Sequence, residues 1–103
     1  MSFTESARGL LDLTRPGNLI AAAVLTLIGA FVAGGVTSQP TEGGIAVAAT
    51  GLAVGAGNTI NDYFDRDIDR HNNPERPIPR GSVSPRTALV FSIVLFSIAG
   101  VLA

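Results

Sequence analysis

Three uncharged apolar blocks constrain what this chain can fold into. They run from Leu19 to Val36, from Gly43 to Ile60 and from Thr87 to Ala103, each 17 or 18 residues long without Asp, Glu, Lys or Arg. About 17 to 25 such residues are needed for a helix to cross the hydrocarbon layer of a bilayer. Three blocks joined by polar segments within 103 residues fit a polytopic membrane protein rather than a soluble core. The expected fold is all-α, a membrane helical bundle with about three spans, near residues 19–36, 43–64 and 87–103.

The polar stretches supply the rest of the plan. Residues 1–17 read as an amphipathic lead-in, with Phe3, Ala7, Leu10, Leu11 and Leu13 on one face and Arg8, Asp12 and Arg15 kept wet. Pro16 and Gly17 end that pattern. Val36 to Gly44 reads as a short turn, so the first two spans are antiparallel neighbours. Arg70 to Pro85 holds Pro74, Pro77, Pro79 and Pro85 and reads as a loop. The third block stops at Ala103 with no polar flank, which reads as the first part of a longer membrane domain.

All seven basic residues are arginine, and they are one-sided. Arg8 and Arg15 precede the first block; Arg66, Arg70, Arg76, Arg80 and Arg86 lie between the second and third. The segment Thr37 to Glu42 has none. By the positive-inside rule the N-terminus and the long loop are cytoplasmic and the short turn is outside. The chain has no cysteine, which excludes disulfides and thiolate metal sites. The first block is too long for a signal-peptide core. A net charge of −1 gives no reason to expect a nucleic-acid partner.

Chemistry concentrates where the second block ends. From Asn58 the chain reads Asn-Thr-Ile-Asn-Asp-Tyr-Phe-Asp-Arg-Asp-Ile-Asp. One Asp at the centre of a membrane helix costs about 2.5 to 3.5 kcal/mol, less toward the interface. Two carboxylates roughly 5 Å apart repel by about 3 kcal/mol at an effective dielectric near 20. A face bearing several therefore calls for cations. At about 100° per residue, Asn58, Asn61, Asp62, Asp65 and Asp69 fall within an arc of roughly 100°, with Asp67 on the far side. These hard oxygens suit Mg²⁺ that shares its shell with a substrate diphosphate. The plainer reading is a solvated helix end whose Asp residues pair with Arg66 and Arg70. A calcium loop is excluded, because Arg70 and Arg76 stand where its Gly and Glu are required.

The loop arginines Arg76, Arg80 and Arg86 are spaced by prolines, as a phosphate-facing strip or as topology determinants would be. His71 reads as solvated. Tyr63 and Phe64 read as interfacial anchors, and Gly51, Gly55 and Gly57 as sites of close helix packing.

Asn61-Asp62-x-x-Asp65-x-x-x-Asp69 resembles the first aspartate-rich motif of the UbiA superfamily of intramembrane prenyltransferases. Asn73 to Gly81 resembles that family's Arg-Pro-Ile-Pro-x-Gly loop, with Arg80 where many relatives carry Ser, and Thr14-Arg15-Pro16-x-Asn18 resembles the entry to its first helix. The resemblance implies a bundle of about nine membrane helices around a lipid-open cavity. It also implies a second aspartate-rich motif, absent from residues 1–103, so these residues alone are expected to be inactive. It further implies that Asn61, Asp65 and Asp69 hold Mg²⁺ with Asp62 beside them, and that Arg15 and Asn18 meet the diphosphate or the acceptor. The partners would be a prenyl diphosphate, a lipid-like acceptor, membrane lipid and the remaining helices. Within the family, the string from Asn61 to Asp69 most resembles the branch that adds a geranylgeranyl group to geranylgeranylglyceryl phosphate. Quinone and chlorophyll branches carry similar strings. The competing class is a non-enzymatic membrane protein whose acidic face binds a cation.

Overall fold

The computed structural model describes residues 2–103, and among these every regular element is a helix. The order is α1 (Phe3–Thr14), α2 (Pro16–Val32), α3 (Gly35–Ser38), α4 (Pro40–Phe64), α5 (Arg66–Asn72) and α6 (Pro85–Leu102). Helices α4 and α6 are each long and apolar enough to cross a membrane, and α1 with α2 would make a third span bent by 45°. At 1.5 Å per residue, the 25 residues of α4 reach about 37 Å and the 18 of α6 about 27 Å. Helix α4 packs against both α2 and α6.

Prolines set the helix starts. Pro16, Pro40 and Pro85 each open a helix, where the missing N–H is one of the unpartnered donors anyway. The helix over the first apolar block therefore begins at residue 16 and ends at 32, earlier than the expected 19–36. The expected turn at Val36 to Gly44 is a connection over residues 33–39 that contains α3, and Glu42 already belongs to the first turn of α4. Likewise α5 carries helix to Asn72, so the proline-rich loop starts at Asn73 rather than Arg70.

The junction of α1 and α2 is a single residue. Arg15 has φ 55° and ψ 77°, the only non-glycine residue at positive φ among those described. That conformation costs on the order of 1–3 kcal/mol and persists only where the surroundings hold it. Pro16 forbids continuation of α1 through its missing N–H, and the Arg15 N–H instead closes α1 on the Asp12 carbonyl at 3.1 Å.

The core lies at the end of the bundle where α1, the 73–84 loop and the start of α6 meet. Leu13, Ile78, Val83 and Ala88 are buried there, with Leu10 packed against them. Full burial of one such Leu, Ile or Val side chain is worth about 1.5–3 kcal/mol. Gly9 permits the approach: a Cβ there would lie 2.7 Å from Val83 Cγ2 and 2.9 Å from Ser82 Cβ. Gly55 similarly faces Thr14, whereas Gly51 and Gly57 have open space around them and need no glycine for packing within these residues. Along the helices, large side chains such as Ile20, Leu25, Phe31, Ile93 and Val101 remain exposed.

Candidate functional site

The acidic segment is helical but not uniform. The helix breaks mildly at Asp65 (φ −88°, ψ 5°) between α4 and α5. The four-residue rungs nevertheless continue through it: the N–H groups of Asp65, Asp69 and Asn73 donate to the carbonyls of Asn61, Asp65 and Asp69 at 2.9, 2.7 and 2.8 Å. The shared arc therefore survives, and its order is Asn61, Asp65, Asn58, Asp69, Asp62. Burial rises in that order. Asn61 and Asp65 are exposed, Asn58 is half-buried, Asp69 is 8% exposed and Asp62 is 2% exposed.

Asp62 faces inward, into two arginines. Arg15 Nη2 donates to its Oδ1 at 2.9 Å. Arg76 donates to Oδ2 from Nε at 2.9 Å and from Nη2 at 2.6 Å. One carboxylate thus ties the α1–α2 junction and the 73–84 loop to α4. Solvent screens the two pairs differently, because the Arg15 side chain is 43% exposed and that of Arg76 is 23% exposed. The Arg76 pair, bidentate and less screened, is the stronger.

Other expected ligands are similarly committed. Asn58 donates from Nδ2 to the Thr14 carbonyl at 2.9 Å, which makes it a link between α4 and α1. Arg80 locks its own loop: it donates to Ser82 Oγ at 2.7 Å, to the Glu75 carbonyl at 2.8 Å and to Asp12 Oδ2 at 2.8 Å. Of Arg8, Asp12 and Arg15, expected to stay wet, Asp12 and Arg15 are therefore ion-paired. Asn18 is exposed at the start of α2. On the far side Asp67 pairs with Arg70, at 3.2 Å between exposed groups. Arg66 stacks over Tyr63 with 4.4 Å to the ring centroid and donates to the Tyr63 carbonyl. Thr14 and Asp12 escape a reading of the sequence, because nothing in their local pattern says that α1 packs against α4 and the loop.

A strip remains: Asn61, Asp65 and Asp69, one above another at four-residue intervals. Asp69 Oδ1 accepts from Asn73 Nδ2 at 3.2 Å, and the carboxylates of Asp65 and Asp69 make no ion pair within 4 Å among the described residues. Among those residues no three His, Cys, Asp or Glu side chains converge to enclose a metal ion. Two carboxylates and a carboxamide are instead the donor set by which Mg²⁺ is ordinarily held when water and phosphate complete its shell. The residues fit a Mg²⁺ shared with a phosphate ligand and do not fit an all-protein metal cage.

Comparison with known proteins identifies the family. The UbiA prenyltransferase family matches residues 22–103. The chain is 65% identical over 98 residues to digeranylgeranylglyceryl phosphate synthase of Natronomonas pharaonis, covering 95% of this chain and 35% of that protein. The protein of the same name from Halobacterium salinarum is 60% identical over 99 residues, 96% of this chain and 36% of its own. That of Methanothrix thermoacetophila is 46% identical over 93 residues, 90% and 34%. The chain thus spans about a third of the length of these curated relatives. No solved structure matches it. With the acidic helix, the proline-arginine loop and the family match covering most of its length, the chain belongs to the UbiA prenyltransferase family.

Proposed function

We propose that the protein transfers a geranylgeranyl group from geranylgeranyl diphosphate to the glycerol hydroxyl of geranylgeranylglyceryl phosphate, with Mg²⁺, in archaeal ether-lipid synthesis. The observation that carries this is the 65% identity to a digeranylgeranylglyceryl phosphate synthase across a segment that contains the whole acidic helix and loop. In this reading residues 1–103 are the N-terminal portion of one transmembrane domain, and the acidic end of the bundle faces the cytoplasm.

The reaction breaks the allylic C–O bond to the diphosphate and forms an ether C–O bond to the acceptor, with release of diphosphate and a proton. Asn61, Asp65 and Asp69 would hold the Mg²⁺. When bound, it supplies charge neutralisation for the departing diphosphate. Arg15, half-exposed beside the strip's buried neighbour, has guanidinium donors left over for a phosphate oxygen. Apolar surface along α2, α4 and α6 keeps water from the reacting carbon and suits a prenyl tail.

The test is a competition assay on the full-length protein in lipid. Geranylgeranylglyceryl phosphate, a hydroxybenzoate, a dihydroxynaphthoate and a chlorophyllide are offered together with one prenyl donor. The expected product is the digeranylgeranyl ether. Preference for any other acceptor overturns the acceptor assignment, and no transfer to any of them counts against the prenyltransferase reading as a whole.

A further inference from the structure

We infer that Asp62, although part of the aspartate-rich string, is a positioning residue that holds Arg15 at the diphosphate site and does not ligate metal. The inference rests on the reading that a diphosphate binds beside Asp65 and Asp69. Three observations carry it. Asp62 sits at the inner edge of the arc, 2% exposed, while Asn61 and Asp65 at the other edge are exposed. Both its carboxylate oxygens already accept from guanidiniums, three charge-assisted N–H donors at 2.6 to 2.9 Å filling three of its roughly four lone-pair sites. A metal ion approaching either oxygen would meet a guanidinium's positive charge. Finally, Arg15 holds a left-handed backbone, φ 55°, which an arginine adopts only under constraint.

The two arginines do different work. Arg76 gives Asp62 two bonds and also donates to the Asp12 carbonyl at 3.2 Å, so it is the pin that fastens the loop. Arg15 gives Asp62 one bond and keeps a side chain that is 43% exposed. Of its five N–H donors, one is spent on Asp62, and the rest can meet a phosphate. Asp62 fixes where that fork points.

The experiment uses the full-length protein in lipid nanodiscs and two binding readouts. Mn²⁺ affinity is read by electron paramagnetic resonance, and Mn²⁺-dependent binding of inorganic diphosphate by calorimetry. Asp62→Asn is expected to leave Mn²⁺ affinity within about threefold of wild type and to weaken diphosphate binding by about tenfold or more, the scale of one lost charge-assisted bond. Arg15→Gln should reproduce that pattern, Arg15→Lys should restore part of the binding, and the double variant should be no worse than either single one. Asp65→Asn should weaken Mn²⁺ by about tenfold or more. If Asp62→Asn fails to fold, the half-exposed Arg15 variants carry the test. An Asp62→Asn protein that loses Mn²⁺ as Asp65→Asn does overturns the inference. So does diphosphate binding within threefold of wild type in Asp62→Asn or Arg15→Gln. Prenyl transfer by the wild type is scored separately, so failure of the enzymatic reading is not confused with failure of this one.

Discussion

Asp65 stands three residues after Asp62, yet one is exposed and without an ion pair among the described residues, and the other is buried between guanidiniums. Side-chain chemistry cannot distinguish them; position on the arc does. The sequence periodicity placed five oxygen-bearing residues on one face and put Asp67 opposite, and the exposed Asp67–Arg70 pair agrees with that. It could not say which edge of the face turns inward, because that depends on α1 and the loop arriving from 14 to 47 residues away in sequence. In the full-length enzyme, Asp65→Asn and Asp69→Asn should each lower prenyl transfer by at least about 100-fold, the scale of removing one electrostatic stabiliser. Asp67→Asn should change it by less than about threefold. Steady-state transfer rates decide the matter, and equal damage at Asp67 and Asp65 would contradict the face assignment.

At the scale of elements, α1 is the part that local pattern described least well. Its amphipathic composition suggested a lead-in with Arg8, Asp12 and Arg15 kept wet. In the structure it docks: Leu13 enters the core, Asp12 binds Arg80, and the Thr14 carbonyl accepts from Asn58. The cause is the junction at Arg15 and Pro16, whose proline was legible and whose left-handed residue was not. Gly9 lets α1 approach Ser82 and Val83, a requirement with no local signature. Gly9→Ala should therefore destabilise this corner by about 1–3 kcal/mol, since the loop must shift to admit the methyl group. Thermal unfolding in detergent and protease cleavage within 73–84 measure it; a variant as stable and as resistant as wild type would mean that α1 is not docked there.

The whole molecule follows from charge distribution. Three charge-free blocks led to an expectation of about three spans, and the structure has two helices that qualify alone and a third span if bent α1–α2 counts as one. Their ends shifted by a few residues where prolines open helices. All arginines fall at one end of the chain's spans, so Arg76 is expected in the cytoplasm and Gln39 outside. Single cysteines at 39 and 76, in a chain that otherwise has none, can be labelled in intact cells with a membrane-impermeant maleimide. Labelling is expected at 39 alone, and labelling at 76 alone would invert the topology. The Asn61–Asp65–Asp69 strip at the arginine-rich end is proposed to capture a diphosphate through a divalent cation. Its most direct test is the binding of geranylgeranyl diphosphate to the full-length protein in nanodiscs, titrated with Mg²⁺. Binding should require Mg²⁺, vanish with EDTA and weaken by about tenfold or more in Asp65→Asn. Binding of equal strength in EDTA, or unchanged in Asp65→Asn, would contradict the claim.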